Sequence, residues 1–241
     1  MKLSARVVPV HRLREGERDR MWSIFADYYE KVDQSQFLSD LEAKDAVILV
    51  ESEEIHGFST MREVRVTLDG RTHIGMFSGD TVIERPYWGT RVLGRAFLIE
   101  LAKKSLKQPL TPYWWILITK GYKTYLLMAN NFPVHYPNVD GPTPTPQQRL
   151  MHEFGSRLFG SDYRPETGIV RFAESRGHLR TGVADITTAL RHENARVALF
   201  ESLNPSWRSG EELLCLARMN LTMPFKYAWK AWQGSSQQGP V

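Results

Sequence analysis

Three β-rich runs follow one another between residues 46 and 83 with only short turns between them, and this narrows the fold more than any other feature of the chain. "AVILVE" (46–51) is a near-continuous apolar run, "HGFSTMREVRV" (56–66) alternates, and "THIGMFSGDTVI" (72–83) mixes β formers with two glycines. "SEEI" and "LDG" separate them, the latter a strong turn signal. The expectation is an antiparallel meander. Ahead of it, residues 17–31 carry Met21, Ile24, Phe25 and Tyr28 at helical spacing, and "SQFLSDLEAK" carries Phe37, Leu38 and Leu41. Behind it, "WGTRVLGRAFLIELAKKSL" is helical by composition, with Val92, Leu93, Ala96 and Phe97 on one face. "PYWWILIT" (112–119) then reads as a buried strand and "KGYKTYLLMANNF" as a helix closing on Asn-Asn. The order over 17–132 is α-α-β-β-β-α-β-α, an α/β (mixed-sheet α+β) fold. Its β-α-β step after the meander requires one parallel pair in a mostly antiparallel sheet.

The remainder is less regular. "FPVHYPNVDGPTPTP" (132–146) is the one clear shift in composition, rich in proline, and reads as a long surface loop or linker. The organisation expected is therefore a core over 1–132, a proline-rich loop over 133–146, a C-terminal half over 147–232 and a disordered tail over 233–241. In that half "QQRLMHEFGSRLFG" and "DITTALRHENARVALFE" read as helical, "GIVRF" and "EELLCLARMN" as strands, and "PFKYAWKAW" as a terminal helix or extension.

The chain has 241 residues, 42% hydrophobic and 24% charged, enough to bury a sizeable core. No apolar run approaches the ~20 residues of a membrane span, and the N-terminus lacks the apolar core of a signal peptide. A single cysteine, Cys215, excludes an internal disulfide framework, so a reducing, cytoplasmic compartment is expected. Net charge +4 suits an anionic ligand or an acidic protein partner. No zinc-finger spacing, Lys/Arg block or aromatic–basic pattern points to nucleic acid. The seven histidines show no H-x-x-x-H or H-x-H spacing, so no metal site is expected.

The chemistry concentrates in "SGDTVIERPYWGTRVLGRAF" (78–97). A helix N-terminus after a glycine-bearing loop is an anion site. Gly89 and Gly94 allow close backbone approach, and Arg85, Arg91 and Arg95 add charge-assisted bonds to phosphate. The Walker-type loop and the dinucleotide fingerprint G-x-G-x-x-G are both absent. "RVLGRA", with Arg91, Gly94 and Ala96, together with the preceding "PYWGT", resembles the acyl-coenzyme-A motif Arg/Gln-x-x-Gly-x-Gly/Ala of the GNAT acyltransferase superfamily. The segment order resembles that family too, over roughly residues 5–132. Trp88 stands where an arginine is common in the family, and the segment is one residue longer.

The resemblance implies a GNAT-like sheet splayed between its fourth and fifth strands, flanked by helices, with a C-terminal helix-rich elaboration. It implies acyl-CoA, or the phosphopantetheine of an acyl-carrier protein, held by Val82, Arg85, Trp88, Gly89, Thr90, Arg91, Val92, Gly94, Arg95 and Ala96. A bulge in the fourth strand would admit the pantetheine arm, and Ser78-Gly79-Asp80 is where it is expected. A glycine used only for turning or packing is the alternative. Asp80 is the first candidate for the base, with Glu84 four residues on. A tyrosine after the fifth strand is the family's usual thiolate acid, and Tyr125 is the best placed, ahead of Tyr122, Tyr136 and His135. Cys215 could be an acyl-accepting nucleophile but reads as a small core residue. Lys103, Lys104 and Lys107 either compensate the helix dipole or dock an acidic acyl-carrier protein. Trp207, Phe225, Tyr227, Trp229 and Trp232 either line a pocket or cap the sheet as core.

The function expected is transfer of an acyl group from a thioester to an amine of a small molecule or peptide. The alternatives are a non-catalytic acyl-cofactor or protein-binding module, and a carrier-dependent synthase of N-acyl amino acids or homoserine lactones. A thioester decarboxylase or hydrolase on the same fold also remains open.

Overall fold

A computed structural model describes residues 2–219. The candidates Phe225, Tyr227, Trp229 and Trp232, and the tail 233–241, lie outside the described residues. In chain order the elements are β1 (Ser4–Pro9), α1 (Glu15–Tyr28), β2 (Tyr29–Glu30), α2 (Gln34–Glu42), β3 (Ala46–Glu51), β4 (Ile55–Leu68), β5 (Arg71–Ile83), α3 (Val92–Lys107), β6 (Tyr113–Thr119), α4 (Tyr122–Asn131), β7 (His135–Tyr136), α5 (Thr145–Phe159), β8 (Tyr163–Arg164), β9 (Ile169–Val170), β10 (His178–Leu179), α6 (Thr188–Glu193), α7 (Ala195–Leu203) and β11 (Glu212–Arg218).

The main sheet runs β1-β3-β4-β5-β6-β11-β9-β8, with β7 pairing on β11; β2 and β10 form a separate two-stranded ribbon. The meander is β3-β4-β5. Its second turn is Asp69-Gly70, with φ of 50° and 73°, the left-handed pair that a tight hairpin favours. α3 then carries the chain across to β6, which pairs parallel with β5. All other ladders are antiparallel among the described residues. The mixed sheet and its single parallel step are as expected from the sequence, and β11 supplies the closing strand beside β6.

Three segments carry structure beyond what the sequence reading gave. β1 reads as nothing in particular in "SARVVP", yet it pairs with β3 along its whole length and extends the sheet. The proline-rich stretch 133–146, expected as a surface loop or linker, is tied to the sheet by the two-residue strand β7. His135 and Tyr136 pair with Ala217 and Leu216, and His135 is buried beneath Phe132, whose carbonyl it contacts at 2.7 Å. The helical reading of "DITTALRHENARVALFE" becomes two helices. Asn194 ends α6, and its side chain accepts from the N–H groups of Arg196 and Val197 to start α7.

Each face of the sheet has its own core. α3, α4 and α7 cover one face through Leu93, Phe97, Leu101, Tyr125, Met128 and Phe200, packed on Ile74, Met76, Trp115 and Leu117. The opposite face is shared. α1 and α2 cover β3 and β4 around Phe25, Phe37 and Phe58, while α5 covers the other end around Phe77, Ile116 and Phe154. The space between those two clusters is where the sheet is left uncovered. Cys215 is fully buried on the α3 face, and its thiol is pushed up by desolvation, as befits a core residue.

Candidate functional site

The site begins at a β-bulge. On β4 and β5, Met61 pairs with Ser78 and Ser59 with Thr81, so Gly79 and Asp80 together oppose the single residue Thr60. The extra residue reverses the side-chain alternation. Before it, Ile74 and Met76 pack against α3, and Ser78 on the same face accepts from Trp115 Nε1 at 2.8 Å. After it, Val82 packs with the α1–α2 cluster instead, and Asp80 comes within electrostatic reach of Lys44, Tyr29 and Glu212. Without the bulge Asp80 would point at the α3 core.

The same place ends the parallel ladder. β5 and β6 pair from Ile74↔Tyr113 to Ser78↔Leu117 and no further, although β5 continues to Ile83 and β6 to Thr119. The two strands splay beyond Ser78, at the place where the resemblance led the bulge and the gap to be expected. Gly79 is required for close approach. A Cβ there would lie 2.5 Å from Thr60 Oγ1 and 3.0 Å from Lys44 Cε. Thr60 itself is fully buried, and its hydroxyl has no hydrogen-bond partner among the described residues. Burying an unpaired hydroxyl is costly, so Thr60→Val is expected to raise stability by about 1 kcal/mol. That is about 2–4 °C in Tm for a chain of this size. A fall in Tm would show that the hydroxyl is satisfied after all.

A cavity opens on each side of the splay. On the α1–α2 side its volume is about 370 Å³, with Tyr29, Lys44, Arg62, Asp80, Lys120 and Glu212 among its lining. On the α3–α4 side a narrow one of about 50 Å³ runs between Ser78, Leu93, Gly94, Trp115, Leu127 and Phe132. Thr81 and Thr124 line both.

The floor of the larger cavity is ionic. Lys120 and Glu212, both nearly buried, pair at 3.3 Å, and Lys120 also donates to the carbonyls of Arg176 and Gly177. Desolvation pushes the Glu212 carboxyl up, opposed by Lys120. Burial likewise pushes the Tyr29 phenol well up and lowers the Lys44 ammonium. Sequence reading missed all four. Lys120 and Glu212 carry a usable signal, each being a charge abutting an otherwise apolar buried strand. Tyr29 and Lys44 carry none, because the turns that aim them are set by tertiary packing.

On the other side, the loop after β5 makes one 3-10 turn at Arg85–Tyr87 and then reverses at Gly89, whose φ is +83°. Thr90 Oγ1 accepts from Val92 N, and the first helical bond of α3 runs from Arg95 N to Arg91 O. The N–H groups of Leu93 and Gly94 are thus left outside the helical ladder. Arg91 and Arg95 are exposed and form no ion pair among the described residues. These groups fit a diphosphate.

The other candidates are placed differently. Val82 faces the α1–α2 core rather than the α3 side. Arg85 packs on Trp88 and reaches the Gly182 carbonyl, and Trp88 Nε1 donates to Ile83 O at 2.7 Å. Val92 and Ala96 pack against the α3-side core. Glu84 is tied to Arg20 at 2.7 Å and His56 Nδ1 at 2.9 Å, and it does not line the cavity that Asp80 lines. Tyr125 is fully buried, donates to Pro137 O at 3.1 Å, and lines neither cavity. α4 offers Thr124 to the splay instead, because the helix turns its next residue into the core against Phe200. Trp207 is buried in the α3-side core, the packing alternative given above. Among the described residues no cluster could hold a metal, and no helix is long and apolar enough to cross a membrane.

No protein-family profile matches the chain, and no curated protein matches it. Solved structures do resemble it. One is a conserved protein from Enterococcus faecalis V583 named a "Probable N-Acyltransferase", 15% identical over 52% of this chain with a TM-score of 0.41. This chain covers only 32% of the length of that protein. An acetyltransferase of Trypanosoma brucei is 15% identical over 57% of this chain and 97% of its own, with a TM-score of 0.38. A ribosomal-protein-alanine N-acetyltransferase from Brucella melitensis biovar Abortus 2308 is 11% identical over 48% of this chain and 79% of its own, at 0.36.

Proposed function

We propose that the chain is an N-acyltransferase that passes an acyl group directly from a thioester to an amine. The observation that carries this reading is the pair of cavities on opposite faces of the sheet, meeting at Thr81 and Thr124 where the β5–β6 ladder ends. A thioester donor supplies an activated carbonyl and a thiol leaving group. Its diphosphate fits the Gly89–Gly94 turn with Arg91 and Arg95, and its thin arm fits the narrow α3–α4 cavity. The amine takes the larger cavity.

The residues then divide the work. The β5 edge past Ser78, free of β6, offers backbone N–H groups to the carbonyl oxygen. Asp80 accepts the proton released as the nitrogen bonds to the carbonyl carbon. The Thr124 hydroxyl, at the junction of the cavities, donates to the departing sulfur. A thiol ionises near pH 8.5, so its departure needs only modest help. Coenzyme A is the favoured donor. Lys104 is engaged by Glu63 and Lys103 by Glu100, each at 3.4 Å, so among the described residues only Lys107 of the three has no ion pair to give up to an acidic acyl-carrier protein.

The test is thermal shift and free-thiol release with acetyl-, propionyl- and long-chain acyl-CoA, and with an acylated carrier protein. Stabilisation of about 2.7 kcal/mol is expected at a ligand concentration 100 times Kd. Thiol release should follow when an accepted amine is added. Failure of every donor to bind would sink the reading. Tight binding with no turnover on any amine would favour the non-catalytic module instead.

A further inference from the structure

The charged side chains that line the larger cavity sort by partner. Lys120 is neutralised by Glu212, and Arg176 forms an ion pair with Asp40. Lys123 lies over the Trp88 ring at 4.1 Å. Asp33 caps α2 by accepting from Gln36 N, and Asp162 accepts from Ala173 N. Three groups remain: Lys44, Arg62 and Asp80. Lys44 Nζ has one polar contact, the Asp40 carbonyl at 2.9 Å, and no carboxylate within 4.0 Å among the described residues. Asp80 likewise has no side-chain ion pair or hydrogen bond among the described residues. The two feel each other's charge without touching.

We infer that the acceptor carries an anionic group beside its amine, with Lys44 and Arg62 holding the anion while Asp80 takes the amine; the identification of that amine rests on the acyl-transfer reading. A half-buried ammonium without a counter-ion costs free energy that a bound anion repays. The geometry also limits the spacing. The Lys44 stem crosses the bulge in contact with the position a Gly79 side chain would occupy, one residue from Asp80. The cation and the carboxylate therefore stand side by side at the splay. The ligand that satisfies both has its amine and its anion a few bonds apart: an α-amino acid, or a short phosphorylated amine. A cavity of about 370 Å³ has room for a molecule of that size. Polyamines and other multiply cationic acceptors are disfavoured, since a second cation would meet Lys44 and Arg62.

The experiment is calorimetric titration of the full chain with matched pairs. One arm sets L-amino acids against their carboxamides, and the other sets O-phosphoethanolamine against ethanolamine. The anionic member of at least one arm is expected to bind about tenfold or more tighter than its neutral partner. The arm that discriminates identifies carboxylate or phosphate. Lys44→Met should bring that ratio to within about twofold, leaving coenzyme A binding unchanged, and Lys44→Arg should keep it. Equal binding of charged and neutral partners by the wild type, a ratio that survives Lys44→Met, or no measurable binding in either arm overturns the inference. Thiol release is read separately. Carboxamides acylated as fast as acids sink the inference and leave acyl transfer standing; anion-dependent binding without any thiol release does the reverse.

Discussion

Replacing Asp80 by Asn is expected to lower turnover by a factor of about 10²–10⁴, the usual worth of a positioned proton acceptor. The Kd for coenzyme A should stay within about twofold. The expectation follows from the bulge, because the reversed alternation carries this one carboxylate off the α3 face and into the larger cavity. Asn keeps the shape and loses the basic oxygen, so an effect on binding alone would point to a role in holding the amine. Glu84→Gln is the matched comparison. Glu84 lies four residues on, but its oxygens are committed to Arg20 and His56, and His56 Nε2 lies 2.8 Å from Ser52 Oγ. That chain ties α1 to β4 and the end of β5. Glu84→Gln is expected to cost stability ahead of turnover. Equal losses of turnover in both variants, with normal Tm values, would remove Asp80 from the chemistry.

What the sequence made legible follows from how local each signal is. The meander was readable because "AVILVE" and the Asp-Gly turn are local statements about strand and hairpin, and both stand as read. The defect at Ser78-Gly79-Asp80 was readable too, since glycine then aspartate inside a β run conflicts with strand propensity. Its consequence was not. Whether Asp80 faces α3 or α1 depends on which residue of β4 the bulge opposes, and that pairing is made across the sheet with Thr60. Tyr125 shows the same limit. Spacing put it on the helix after β6, but the side of α4 it takes is decided by Phe200, 75 positions further along the chain. β1 was missed because "SARVVP" shows neither a clean apolar–polar alternation nor a long apolar run. It is held by β3, not by its own propensity.

The Lys120–Glu212 pair sets the second large expectation, because it is the ionic floor of the cavity and joins β11 to the end of β6. Both side chains are close to fully buried, at 8% and 12% exposure. Losing one partner strands the other in a poorly solvated site, so Lys120→Met is expected to destabilise the fold by about 3–5 kcal/mol. Glu212→Gln should cost less, because Lys120 keeps its bonds to the carbonyls of Arg176 and Gly177. The double variant Lys120→Met/Glu212→Leu should recover most of the loss, since it removes both desolvated charges. The sign with pH is fixed by Glu212. Its folded pKa is raised above 4.5 by burial, so the folded chain takes up this proton more readily than the unfolded one. Ionising Glu212 therefore costs stability as pH climbs from the ordinary value through the raised one. Removing Lys120 takes away what opposes that shift. Lys120→Met should accordingly lie closest to the wild type in mildly acidic buffer and furthest from it at neutral pH and above. Denaturant unfolding of the four proteins at two pH values checks it. A deficit in Lys120→Met that is flat across pH, or a double variant no better than the single, would mean that Glu212 finds another way to carry its charge.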